Sequence, residues 1–132
     1  MKAFLIITAL FGLLFLTSCA PADAIPSVYN TRGVRMGEVR SRDGLHYITD
    51  ARGNTLGIVS GSQLVSGSGV KLGELLSSGS GSASVLDARG KEVATIQQDT
   101  ECYGSDEKLL GRINVKVDPS AAGAACLLLL LP

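Results

Sequence analysis

The chain has 132 residues and carries 12 Lys and Arg against 12 Asp and Glu, so its formal net charge is zero. It has no Trp, few aromatics and no basic stripe, which argues against nucleic-acid binding, a function that depends on neutralising phosphates. Sixteen glycines lie between short apolar runs, a pattern of turns and strands with no sustained helical period.

Residues 1–18 have the layout of an export signal. Lys2 is followed by an almost wholly apolar run to Leu16. The run is short for a bilayer span, which takes about 20 apolar residues, and fits the apolar core of a helical signal peptide that is removed from the mature chain. Leu16-Thr17-Ser18-Cys19 resembles the lipobox of bacterial lipoproteins. That resemblance implies a diacylglycerol thioether on Cys19 and a further acyl chain on its freed amino group, and two or more chains anchor stably. Ala20 follows where an aspartate favours inner-membrane retention, so the resemblance implies the outer membrane. The expected organisation is a signal peptide over 1–18, a lipidated tether over 19–27 and one small domain over 28–132. Loss of the leader removes only Lys2 from the charge balance.

The domain is an internal repeat, the first feature to read in any such chain. Aligned on Gly33, Gly53, Gly69, Gly90 and Glu107, it runs VYNTRGVRMGEV, ITDARGNTLGIV, LVSGSGVKLGEL, VLDARGKEVATI and CYGSDEKLLGRI without a gap inside any unit. Three columns are apolar. The first holds Val28, Ile48, Leu64, Val85 and Cys102, the second Met36, Leu56, Leu72, Val93 and Leu110, and the third Val39, Val59, Leu75, Ile96 and Ile113. Asn30, Asp50, Ser66 and Asp87 open the turns. The glycines Gly33, Gly53, Gly69 and Gly90 supply the positive φ that tight hairpins need. Each unit is therefore predicted to be one β-hairpin.

The second and third columns lie three residues apart, which in a regular strand places them on opposite faces. Either both faces are covered, or a bulge or bend at the small residue between them (Gly37, Gly57, Gly73, Ala94 or Gly111) turns both inward. Long and short unit spacings alternate, and the longer connectors are expected at 40–47 and 76–84. The second contains Ser77-Ser78-Gly79-Ser80-Gly81-Ser82, read as a flexible surface connector or a mobile loop over a binding surface.

After lipidation of Cys19, Cys102 and Cys126 remain. An oxidising compartment makes them either a disulfide, which would pin the tail to the fifth hairpin, or two buried thiols. The tail over 121–132 is nearly continuous apolar sequence, too short to span a membrane as a helix. It is expected to be buried as a central strand inside the ring of hairpins, with a peripheral membrane contact as the competing reading. The predicted fold class is all-β: five hairpins closed into a small flower-like or barrel-like domain around that strand. Five hairpins with Asp-Ala-Arg-Gly turns and a small-residue, apolar C-terminal run resemble the β-flower repeat proteins. The resemblance implies fold and no activity.

Chemistry is sparse. His46 is the only histidine, with Asp50 four residues on, and reads as a surface or linker residue. Asp106 and Glu107 fall in the fifth turn, where solvated carboxylates are the default. Arg32, Arg52 and Arg89 recur with the repeat; they are candidates for binding an anionic glycan or head group, against the plainer reading of solvated cations that pair weakly with nearby carboxylates. No metal motif, phosphate loop or cofactor fingerprint is present, so no cofactor is expected. The sequence thus points to a non-enzymatic lipoprotein of the cell envelope, a structural or protein-interaction module whose partners are the membrane, through its lipid, and another periplasmic or envelope protein. The alternative is a ligand-binding or inhibitor lipoprotein that recognises an anionic envelope component.

Overall fold

The computed structural model describes residues 25–132. The signal segment, Cys19 and Ala20 lie outside the described residues. Ten strands follow in chain order: β1 (Ser27–Asn30), β2 (Arg35–Arg42), β3 (Leu45–Asp50), β4 (Thr55–Ser60), β5 (Gln63–Val65), β6 (Lys71–Ser77), β7 (Ala83–Asp87), β8 (Glu92–Gln97), β9 (Glu101–Gly104) and β10 (Leu109–Ile113). Each pairs antiparallel with its sequence neighbours, and β1 pairs with β10, so the sheet closes as an up-and-down barrel with no free edge.

The five repeat units are the five hairpins β1–β2, β3–β4, β5–β6, β7–β8 and β9–β10. Every one of them contains a register shift. In the first hairpin Val28 faces Gly37 and Tyr29 faces Arg35, which leaves Met36 as the extra residue. Leu56, Leu72, Val93 and Leu110 are skipped in the same way in the other four. The bulge therefore falls on the second apolar column itself, one residue before the small position expected to carry it. A bulge inserts one residue and re-aims the chain, so a second-column and a third-column side chain both turn to the interior. The first and third columns are buried, with Val28, Ile48, Leu64 and Val85 fully enclosed, and the second column packs half-buried against them.

The connector expected over 40–47 is not a loop. Asp43 (φ 51°) and Gly44 (φ 81°) form a two-residue turn whose paired positive φ values match the twist of a hairpin, and strands run to both sides of it. The serine-rich connector does loop, between β6 and β7, closed by a bond from Ser78 N to Ser82 O of 3.0 Å.

The C-terminal tail corrects a second expectation. It fills the barrel, but as a helix and not as a strand: α1 (Pro119–Ala125) runs into a π-helical turn over Cys126–Leu130. All ten strands are already paired on both sides, so a strand along the axis would find no partner for its N–H and C=O groups, and buried backbone groups must be paired. A helix satisfies its own. It also has to be thin: the helix residues Ala121, Ala122, Gly123, Ala124 and Ala125 are small and buried, and Gly123 faces the third- and first-column side chains of Leu75 and Val85. Asp118 caps the helix by accepting from Ser120 N at 3.1 Å, and Pro119 occupies the first turn.

Candidate functional site

The five hairpin loops share one end of the barrel and one geometry. In the first, Asn30 N donates to Val34 O (3.0 Å) and Gly33 N to Asn30 O (3.0 Å). The same two bonds recur from Asp50, Ser66, Asp87 and Gly104. The opening side chain supports the loop by accepting from the backbone two and four residues on. Asn30 Oδ1 takes Arg32 N and Val34 N, Asp50 Oδ1 takes Arg52 N and Asn54 N, Ser66 Oγ takes Ser68 N and Val70 N, and Asp87 Oδ1 takes Arg89 N and Lys91 N. Gly33, Gly53, Gly69 and Gly90 sit at φ between 82° and 91°, the left-handed position of a type I turn followed by a bulge. Glu107 holds the fifth such position at φ 66°, without glycine's freedom. Hydrogen bonds from Asn54 N to Asp50 and from Lys91 N to Asp87 hold both carboxyls below their ordinary value.

Arg32, Arg52 and Arg89 stand at the same place in three of these loops, exposed. The structure brings them to one end of the barrel, but on separate hairpins, and none makes an ion pair among the described residues. They form a discontinuous rim and no shared pocket.

Inside that rim lies an apolar crown. The π-helical turn closes by the bond from Leu131 N to Cys126 O (3.1 Å), and its leucines meet the glycine column one by one. A β-carbon added at Gly73 would lie 2.6 Å from Leu127 Cδ2, at Gly57 2.8 Å from Leu128 Cδ1, at Gly37 2.8 Å from Leu129 Cδ1, and at Gly111 2.9 Å from Leu130 Cδ1. Successive leucines thus dock on the third, second, first and fifth units, stepping around the barrel one unit per residue. The wider i to i+5 turn suits this, because it rotates each residue by less than an α-helix at about 3.6 residues per turn, and so comes nearer to the one-fifth turn between units. In the fourth unit the column carries the buried methyl of Ala94. Cys126, one residue before Leu127, is disulfide-bonded to Cys102 on β9, with Cα atoms 6.0 Å apart, and so ties the turn to the wall. Leu129 is nearly buried, while Leu127, Leu128, Leu130 and Leu131 are half-buried along with the second column. Val34 (52% exposed) and Val70 (59%) add open apolar surface at the same end.

The opposite end holds a polar link that sequence spacing did not show. Ser41 Oγ lies 2.7 Å from His46 Nδ1, and His46 Nε2 lies 3.5 Å from Asp118 Oδ2. Asp50, four residues from His46, instead sits at the far end of β3 in a hairpin loop. Ser, His and Asp are the residue types of a nucleophile, base and orienter. Here, however, Asp118 is committed to capping α1 through its other oxygen, and 3.5 Å is an ion-pair distance too long for a hydrogen bond. The trio joins the barrel rim to the point where the helix enters. Its available sequence signal was Asp118-Pro119-Ser120, a helix-start signature.

The outer wall bears charge, as at Glu38, Arg40 and Glu74, and its strands are 3 to 8 residues long, where a membrane-spanning strand takes about 9–11. Among the described residues no helix is long and apolar enough to cross a membrane. Fold and site together define a ten-stranded, five-hairpin barrel plugged by its own C-terminus, with an apolar crown inside a ring of polar loops. Comparison with protein-family models, with curated proteins and with solved structures yields no match.

Proposed function

We propose that the protein is a lipoprotein of the bacterial outer membrane, anchored through Cys19, and that its barrel is a non-enzymatic module that presents the crown to a partner protein of the envelope. The resemblance of the repeat to β-flower proteins belongs to the same reading. The observation that carries it is directional. The chain enters the barrel at Ser27, at the end of β1 remote from the hairpin loops, so this entry point and the crown are at opposite ends. Five residues lie between Cys19 and Ile25, a reach of at most about 22 Å over six steps. A lipid on Cys19 therefore holds the connector end next to the membrane and turns the crown away from it.

An apolar patch rimmed by polar residues marks an interaction site, and this one has loops of both signs: Arg32, Arg52, Arg89 and Lys108 alternate with Asp50, Asp87, Asp106 and Glu107. A mixed rim suits a protein face better than a uniformly anionic lipid surface. Photo-crosslinkers placed at Val34 and Val70 in intact cells test the proposal, with Leu76, exposed at the connector end, as the control. A discrete protein adduct from the two valines and none from Leu76 supports it. Adducts only from Leu76, or only lipid adducts from the valines, count against it. Replacement Cys19→Ala should release the protein from membrane fractions, and unchanged association would remove the anchor from the reading.

A further inference from the structure

Neither the crown nor the plug uses a groove of about 700 Å3 on the outer wall over β2 and β3. Its walls include Ile25, Arg40, Arg42, Tyr47, Thr49 and Thr55, and no carboxylate lines it. Glu38 lies beside it, but that side chain is shared by two guanidinium groups. Arg40 reaches its Oε1 through Nε (3.0 Å) and Nη2 (2.8 Å), and Arg35 pairs with its Oε2. One carboxylate among Arg35, Arg40 and Arg42 leaves the face cationic. Arg42 lies over the Tyr47 ring, 5.4 Å from its centroid, which orients the guanidinium along the wall.

Thr49 is the second, independent feature. It is 5% exposed, and its Oγ1 has no hydrogen-bond partner among the described residues. A buried hydroxyl without a partner is an exception in native proteins and calls for one. The equivalent positions in the other units are Tyr29, Val65, Leu86 and Tyr103, so a short aliphatic hydroxyl at this position is not a product of the repeat.

We propose that this groove binds a phosphate ester. A tetrahedral phosphate offers oxygens to two guanidinium groups and a hydroxyl at once, where a planar carboxylate has two oxygens in one plane. Tyr47 and the exposed Ile25 form an apolar wall for the organic part of the ester. The same chemistry is found in a soluble phosphate ester and in a phospholipid head group. The site does not depend on the crown or on the anchor at Cys19.

The test uses the full chain in uncharged detergent, with glycerol phosphate as the soluble probe and nanodiscs of phosphatidylcholine with or without phosphatidylglycerol as the lipid probe. Amide resonances of Tyr47 and Thr49 report binding. Saturable shifts with glycerol phosphate assign a soluble ester; shifts only with nanodiscs assign a phospholipid head group, an anionic one if they require phosphatidylglycerol and that of phosphatidylcholine if they do not. In either case the proposal requires that R40Q/R42Q weaken binding at least tenfold and Thr49→Val several-fold, with Arg89→Gln at a hairpin loop leaving it unchanged. Arg42→Lys, which keeps the charge and loses the planar fork, guards against a misfolded double variant and should also weaken binding several-fold. No shift with either probe, or a loss in Arg89→Gln equal to that in R40Q/R42Q, overturns the proposal.

Discussion

Leu129 packs on Gly37 so closely that the glycine has no room for a side chain: a β-carbon there would lie 2.8 Å from Leu129 Cδ1 and would run into the carbonyl oxygen of Thr49. The contact couples a residue of the plug to the wall of the first unit. It explains why the small column recurs, since each glycine leaves space for one leucine of the π-helical turn.

The obstacles differ among units, and so should the cost of filling them. At Gly37 and Gly111 the added carbon strikes backbone oxygens, of Thr49 and Tyr29, which cannot move without breaking the barrel ladder. At Gly57 it meets the side-chain ends of Leu128 (2.8 Å) and Leu64 (3.0 Å), with Val65 O at an easier 3.3 Å. Overpacking typically costs about 1–3 kcal/mol. Gly37→Ala and Gly111→Ala should fall at or above the top of that range, and Gly57→Ala near its bottom. Urea unfolding of the three variants checks the order, and equal losses would break the link between the leucines and the column.

The hairpins were legible in the sequence because their determinants are local. Asn30, Asp50, Ser66 and Asp87 bond to backbone within four residues, and the glycines three residues after them carry the positive φ. The burial of the plug was legible in its unbroken apolar run, but its helical form was not, because a run such as 127–131 has no period to read. Its helix start was written in Asp118-Pro119-Ser120, and its thinness in the alanines after them. The contact of Ser41 with His46 is a cross-strand pair fixed by the register of the Asp43-Gly44 turn. That of His46 with Asp118 follows from where the plug enters, and the orphaned hydroxyl of Thr49 from what covers it; neither of these two has a signature in spacing.

The Cys102–Cys126 bond closes a loop of sequence separation 24 and joins the plug to the wall. Constraining the unfolded chain in this way is worth typically about 2–4 kcal/mol for loops of this order. A C102A/C126A double variant should unfold at correspondingly lower urea, with the crown leucines losing hydrogen-exchange protection before the strands do. Both cysteines are buried, at 2% and 1% exposure, so the native protein should resist dithiothreitol until it is partly unfolded. Rapid reduction under native conditions would contradict the burial of the plug.

Glu107 occupies the left-handed position that glycine holds in the other four hairpin loops. That conformation costs a residue with a β-carbon about 1–2 kcal/mol, while glycine carries an entropic penalty of roughly 0.5–1 kcal/mol. Glu107→Gly should therefore stabilise the protein by about 0.5–1 kcal/mol, visible as a rise in thermal midpoint. The reverse change, Gly53→Ala at φ 91°, should destabilise by about 1 kcal/mol or more. A destabilised Glu107→Gly variant would show that the fifth loop needs its glutamate for something other than the turn.

Acid should loosen the hairpin loops in a defined way. Asn54 N–H bonded to Asp50 and Lys91 N–H bonded to Asp87 hold both carboxyls below the ordinary value of 3.8. A group whose folded pKa is depressed contributes stability that is fully present above its unfolded value and is lost as pH falls through the folded one. The contribution of these two loops should be constant from neutral pH down to about 4 and decline below it. Asn30 fills the same position in the first unit with an amide oxygen that does not titrate in this range, so asparagine is a fitting replacement. The D50N/D87N double variant should keep the loop hydrogen bonds and lose less thermal stability than the parent between pH 4 and pH 2. Parallel acid profiles for the two proteins would mean that the carboxylates hold the loops no better ionised than protonated.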